Sequence, residues 1–234
     1  MAKLTSIQGQ ATGKVGAIVY SVSAGQQIAR QYQPNVANPS TTAQVSNRSN
    51  FKLASQLAAS MFQAIAIPKE GLTSSRNLFV KVNMPLITNA SDTSSVRLSG
   101  LQLTKSSFPI GSVQANRGEG DAVTLSITRS SGLSRVIYSI FRLVHNDELQ
   151  LFNTQTIEAT GSTGTFDAQV SLSASSDYVI YAYGITDLNA RATATFANAS
   201  VDIRNNIASL ISSRSVSPSD YRLTKTAGVI LASA

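Results

Sequence analysis

Two rhythms of apolar residues divide the sequence near residue 95. In the first run, Val15, Ala17 and Val19 alternate with Gly16, Ile18 and Tyr20, so it is apolar on both faces. The stretch "SAGQ", Ser23 to Gln26, supplies a glycine turn, and "QQIARQY" returns. This predicts a β-hairpin over residues 15–32. A strand apolar on both faces is normally covered on both, and an isolated hairpin is marginal in water. The expected cover is the helix that follows, or another subunit.

Pro34 and Pro39 hold the next stretch extended, because each also pushes its preceding residue out of the helical region. Thr41 with Gln44 fits a capping box, in which hydroxyl and amide satisfy each other's backbone donors. The helix predicted from there covers residues 42–66. Phe51, Ser55, Ala58, Phe62 and Ile65 form one face, and Leu53, Leu57, Met61 and Ala64 a neighbouring one. Pro68 and Gly71 break it. Thr73 or Ser74 then caps a shorter helix, Thr73 to Asn83, with Leu78, Phe79 and Val82 inward and Met84-Pro85 as its end.

Beyond residue 95 the period becomes two. Strands are expected over 95–103, 121–129, 135–144, 148–159, 164–173, 177–185 and 190–198, punctuated by Gly, Ser, Asn and Asp. About seven strands in ~105 residues is the pattern of an immunoglobulin- or fibronectin-like sandwich. Tyr178 or Tyr181 is expected to anchor a corner through its hydroxyl. A third helix is expected over 204–215, and the apolar "GVILA" at 228–232 as an edge strand or as a segment bound to a neighbouring subunit. The fold class is therefore α+β and mainly β. It divides into a basic hairpin-plus-helix region (1–84), an antiparallel β-sandwich (95–201) and a C-terminal helix with docked tail (202–234).

Composition narrows the chemistry. Charged residues make up only 13% of the chain against 42% hydrophobic, so Ser, Thr, Asn and Gln must supply much of the polar surface. With no Cys there are no disulfides, thiolate metal sites or cysteine nucleophiles. His145 is the single histidine, which argues against a histidine metal cluster. No apolar run reaches the ~20 residues of a membrane span. The first residues hold no apolar signal core, which predicts a protein made in a cytoplasm and used there or released by lysis. The net charge of +7 is uneven. Residues 1–84 carry Lys3, Lys14, Arg30, Arg48, Lys52, Lys69, Arg76 and Lys81 against Glu70 alone, whereas residues 85–234 carry eleven of each sign. Such asymmetry points to a polyanion partner for the first third.

No catalytic constellation emerges. "GQATGKVG" resembles a phosphate-binding loop, but its first spacing is one residue short, Val15 stands where Ser or Thr must hold magnesium, and a strand follows instead of a helix. His145 lies beside Asn146-Asp147 in a strand connection and reads as a turn residue. The carboxylates form no evident acid–base pair. The expectation is no enzyme, no cofactor, no metal and no small-molecule substrate. Candidate docking residues are Val15, Ile18, Val19, Phe51, Leu57 and Phe62. Candidate nucleic-acid contacts are Lys14, Arg30, Arg48 and Lys52 to phosphates, with Tyr32 beside them.

Gly13, Lys14, Gly16, Arg30, Asn38, Pro39, Thr41, Gln44, Arg48 and Phe51 form the series G-K-x-G, R, N-P-x-T-x-x-Q and R-x-x-F. That series resembles the start of a family of uncharacterised proteins from Bacteroidetes and their phages. The whole chain, with its "SRSVSPSDY" tail, is similar to proteins of microvirus-type single-stranded-DNA phages. The resemblance implies a context and no reaction: a virion or a bacterial host cytoplasm. The resulting expectation is a non-enzymatic structural protein, homo-oligomeric or docked to a capsid through its N-terminal third. The alternative is a single-stranded nucleic-acid-binding protein that uses the same basic third.

Overall fold

The computed structural model describes residues 3–4, 11–23, 25–35, 40–87, 98–128, 132–145, 148–158, 164–197, 211 and 216–234. The chain forms two compact units, Met1–Val45 and Ser46–Ala234.

The smaller unit is a four-stranded antiparallel sheet in sequence order: β1 (Lys3–Leu4), β2 (Ala11–Val15), β3 (Ile18–Ser23) and β4 (Gln26–Gln31). The β3–β4 pair corresponds to the predicted hairpin, but the predicted first strand is interrupted. Gly16 takes φ 58, a left-handed conformation costly for other residues, and turns the chain between Val15 and Ile18. "ATGKV" thus becomes a strand of its own, which sequence reading missed because Val15 is its one strong strand former. No described residue between 11 and 35 is buried.

Helix α1 runs Thr42–Met61 and gives way to a 3₁₀ turn, Phe62–Ala64, instead of continuing to residue 66. The capping box forms by half. The Gln44 amide N–H donates to Thr41 Oγ1 at 3.4 Å, while Gln44 Oε1 is left without a partner. The buried face is Asn50, Ala54, Leu57, Ala58 and Met61, rotated from the expected one, so Phe51 and Phe62 point outward at 57% and 52% exposure. Helix α2 covers Ser75–Ile87, capped by Ser74 Oγ, which accepts from the Asn77 amide. It does not stop at Met84-Pro85. Pro85 sits in the last turn, where the one carbonyl it deprives of a donor, that of Lys81, belongs to an exposed residue.

The larger unit is built on a five-stranded antiparallel sheet. Its path is β11 (Tyr221–Leu223), β10 (Tyr178–Asp187), β7 (Arg135–His145) and β8 (Glu148–Glu158), with β12 (Ala227–Leu231) also pairing β10. The apolar tail is thus an edge strand along β10, from Tyr178↔Leu231 to Ala182↔Ala227. A second sheet orders β5 (Val113–Arg117), β6 (Ala122–Thr128) and β9 (Thr165–Ser171). The two sheets share one core: Val123, Leu125, Ile127 and Phe166 pack with Val136, Tyr138, Ile140, Tyr178, Ile180 and Ala182. The other face of the five-stranded sheet, through Ile137, Phe141, Val179, Tyr181, Tyr183 and Ile185, packs with Leu57, Met61, Leu78 and Phe79 of the helices. Strand β10 is therefore buried on both faces from Tyr178 to Ile185, which is why "YVIYAYGI" is uninterruptedly apolar.

Two predicted strands are corrected. Ala190–Ala197 is helix α3. Its alternation of Ala with Arg and Thr mimics a strand, but the two residues that bury, Ala192 and Phe196, are four apart. Asn189 Oδ1 caps it by accepting from the Ala192 amide at 2.9 Å. The stretch 95–103 is not a strand over its described part. Leu98–Gly100 is a 3₁₀ turn, and side chains satisfy the backbone after it. The Gln102 amide donates to Asn83 Oδ1 at 2.7 Å, Asn83 Nδ2 donates back to the Gln102 carbonyl at 2.9 Å, and the Leu103 amide donates to Thr226 Oγ1 at 2.9 Å. With partners already made, no ladder is needed. Of the third predicted helix, only Ile211 is described, helical and buried; the rest lies outside the described residues.

Candidate interaction surface

Strand alternation sorts the side chains of the smaller unit onto two faces. Residues opposite each other across an antiparallel ladder share a face. Lys14 pairs with Val19, and Val19 with Arg30, so these three form one row across β2, β3 and β4. Ile28, opposite Ser21, lies on this face too. Tyr32 follows Arg30 by two residues, and Lys14 Nζ sits 3.5 Å from its ring centroid, a cation–π contact. Val19, Arg30, Gln31, Tyr32 and Gln33 line a cavity of about 340 Å³.

The opposite face carries Val15, Ile18, Tyr20, Val22 and Ala29, through the pairs Val15↔Ile18, Tyr20↔Ala29 and Val22↔Gln27. Val15 is 53% exposed and Ile18 42%. On β4, Gln27 turns its side-chain amide to the Ala11 backbone, accepting from its N–H at 2.8 Å and donating to its carbonyl at 2.9 Å. It thereby stands in for a strand where the β2–β3 ladder stops at Gly13↔Tyr20.

The predicted docking residues do not form one patch. Val15 and Ile18 share the apolar face, whereas Val19 lies in the basic row. Leu57 is buried in the chain's own core, 1% exposed, and is unavailable for docking. Phe51 and Phe62 are exposed on the larger unit, as is Lys52 on α1. Of the predicted nucleic-acid contacts, Lys14, Arg30 and Tyr32 come together; Arg48 and Lys52 belong to the larger unit. Glu70, the one acid of the first third, is engaged by Lys105 Nζ at 2.7 Å. The partition into two faces was reachable from the sequence once Gly16-Ala17 was placed as a turn, because counting outward from it sets Lys14 against Val19.

Elsewhere the charged groups serve the scaffold. Arg135 Nη1 meets both Asp187 oxygens, at 2.6 and 2.8 Å, with both side chains under 9% exposed. Thr193 Oγ1 donates to the same carboxylate, and the Arg135 guanidinium lies 5.0 Å from the Phe196 ring, so the pair fastens α3 to the sheet. Arg117 donates from Nε to the Ala232 carbonyl and from its two terminal nitrogens to the carbonyls of Leu172, Ser173 and Ser176. Tyr181 donates its hydroxyl to the Leu98 carbonyl at 2.7 Å. That bond anchors the 3₁₀ turn to β10 and spans 83 residues, unlike a sandwich corner, which closes on a neighbouring stretch of chain. Burial pushes the Tyr138 and Tyr221 hydroxyls up to about 12 and raises Tyr181 further. It does the same for Tyr183, with a smaller contribution from nearby Tyr221.

Strand β7 ends at His145 and β8 begins at Glu148; the predicted turn between them lies outside the described residues. Among the described residues, no group of three or more His, Asp or Glu is placed to hold a metal ion, and no helix is long and apolar enough to cross a membrane. No protein-family model and no curated protein matches the chain.

Proposed function

We propose that the chain is a non-enzymatic assembly protein that self-associates through the apolar face of its N-terminal sheet and presents the larger β-rich unit. One observation carries this reading: a four-stranded sheet with Val15, Ile18, Tyr20 and Val22 on one face contains no buried residue among those described. A sheet needs cover over a hydrophobic face for independent stability. Contiguous exposed apolar surface of this kind marks an association site. A second copy offers the same face, and a two-fold contact makes such a face its own complement.

The larger unit supports the display role through its rigidity: two sheets share one core, and helices close the other side. Within this reading the paired sheets are a sandwich of immunoglobulin or fibronectin type with a helical layer added. The resemblance of Gly13 to Phe51 to proteins of bacteria and their phages supports a virion or host-cytoplasm setting, with a capsid as the surface to which the oligomer docks.

Light-scattering mass after size exclusion tests the reading. The unaltered chain is expected to run as a defined oligomer whose mass does not change with salt. The double variant Ile18→Glu, Val22→Glu is expected to run as a monomer with an unchanged circular dichroism spectrum. A monomeric unaltered chain, or an oligomer that survives both substitutions, would overturn it.

A further inference from the structure

We infer that the second face of the N-terminal sheet, the row Lys14–Val19–Arg30 with Tyr32 beside it, is a contact surface for single-stranded nucleic acid. This goes beyond self-association and uses the opposite face of the sheet. Lys14 and Arg30 stand two strands apart, about 10 Å. The unit Met1–Val45 contains no Asp or Glu to neutralise them. Two cations held on one rigid face without a carboxylate in their unit select a polyanion by charge complementarity.

The aromatic group selects among polyanions. Tyr32 is 41% exposed, and Lys14 Nζ occupies only one side of its ring. The remaining surface is a platform for an unpaired base, whose stacking an adjacent cation reinforces. Arg30 and Tyr32 both line the 340 Å³ cavity, with Gln33 at its wall, so a stacked base would have a guanidinium within reach of its phosphate. A duplex hides its base faces, and an acidic polypeptide has none, so neither would use the tyrosine.

The test is fluorescence anisotropy of a labelled oligo-deoxythymidine with the full chain over a salt series. Binding is expected at low salt and is expected to weaken as salt rises. Lys14→Gln with Arg30→Gln should flatten the log–log salt slope by about 1.4, two phosphate contacts at about 0.7 each. Tyr32→Ala should weaken binding about ten- to a hundredfold without changing that slope, and Tyr32→Phe should restore it. Lys81→Gln, on the exposed side of α2, serves as the unaffected control. All three altered side chains of the row are exposed, and light-scattering mass checks that the assembly survives. Absence of binding at low salt overturns the inference. So does binding that the Lys14 and Arg30 substitutions leave intact, or that Tyr32→Ala leaves intact. Polyglutamate competing as well as the oligonucleotide would likewise overturn it.

Discussion

Strands β3 and β10 carry nearly the same message and meet opposite fates. "IVYSVS" and "YVIYAYGITD" both place apolar side chains on two faces. In β10 both faces are filled, one by the three-stranded sheet and one by the helices. In β3 neither face is buried. A doubly apolar strand therefore states a need for cover without saying whether its own chain meets it. In the larger unit the need is met by residues that return from far along the sequence. In the smaller unit no described strand residue between 11 and 31 is buried, and on the proposed reading a second copy supplies the cover.

The largest way to break this contrast is alkaline pH, because it acts on four buried tyrosines of the larger unit together. Tyr138, Tyr181, Tyr183 and Tyr221 ionise above the ordinary tyrosine range, since burial disfavours the phenolate. Below about pH 10 their contribution is fully present. Above it the unfolded chain releases protons that the native one keeps, so stability falls by at most about 1.4 kcal/mol per pH unit for each tyrosine. The share of the tyrosinate absorbance that these four contribute is expected to appear in one step with loss of circular dichroism. Absorbance for all seven tyrosines while the larger unit stays folded would contradict this account of its core.

Substitution sharpens the contrast at matched residues. Tyr181→Ala removes a core ring and leaves the Leu98 carbonyl without its donor, and is expected to cost about 3–5 kcal/mol in urea unfolding. Tyr20→Ala, half-exposed on β3, is expected to change the unfolding of the isolated protomer by less than about 0.5 kcal/mol. Equal costs would mean that the smaller sheet has a core of its own. Between these two lies Arg117→Ala, about 1.5–3 kcal/mol, because it removes charge-assisted bonds to four carbonyls but no apolar packing. Hydrogen exchange should show the loss first in β12, the strand next to Ala232.

What could be read from the sequence follows the same line. Five strands, β6 to β10, were legible because each joins alternation or, in β10, an unbroken apolar run to clear turn residues. Strand β5, "VQANR", was not, since Val113 and Ala115 are its only apolar residues and its order comes from pairing with β6. Helix α3 was misread because threonines interleaved with alanines imitate period two, and only the four-residue spacing of Ala192 and Phe196 distinguishes the helix. Phe51 and Leu57 are both expected to dock, yet Phe51 is exposed and Leu57 buried, because the apolar stripe of α1 is wide and which part faces inward is decided by the sheet it lands on. The basic residues were visible, but their gathering into one row was not, because that depends on a turn at Gly16.

The stitches between residues 102–104 and 224–226 set the order in which the larger unit can form. Thr104 Oγ1 donates to the Thr224 carbonyl at 2.6 Å, and Gln102 exchanges bonds with Thr226 across 124 residues. Gly228 passes so close to Ser99 that an added Cβ would lie 2.4 Å from the Ser99 carbonyl oxygen. Contacts of such long separation repay their loop-closure entropy only when everything between them is in place. The larger unit is therefore expected to fold slowly, because β10 lacks its edge partner until Leu231 is available. Over that interval its two-sided apolar strand would be left uncovered on one edge, and yield during synthesis is expected to be more sensitive to temperature than the finished fold is.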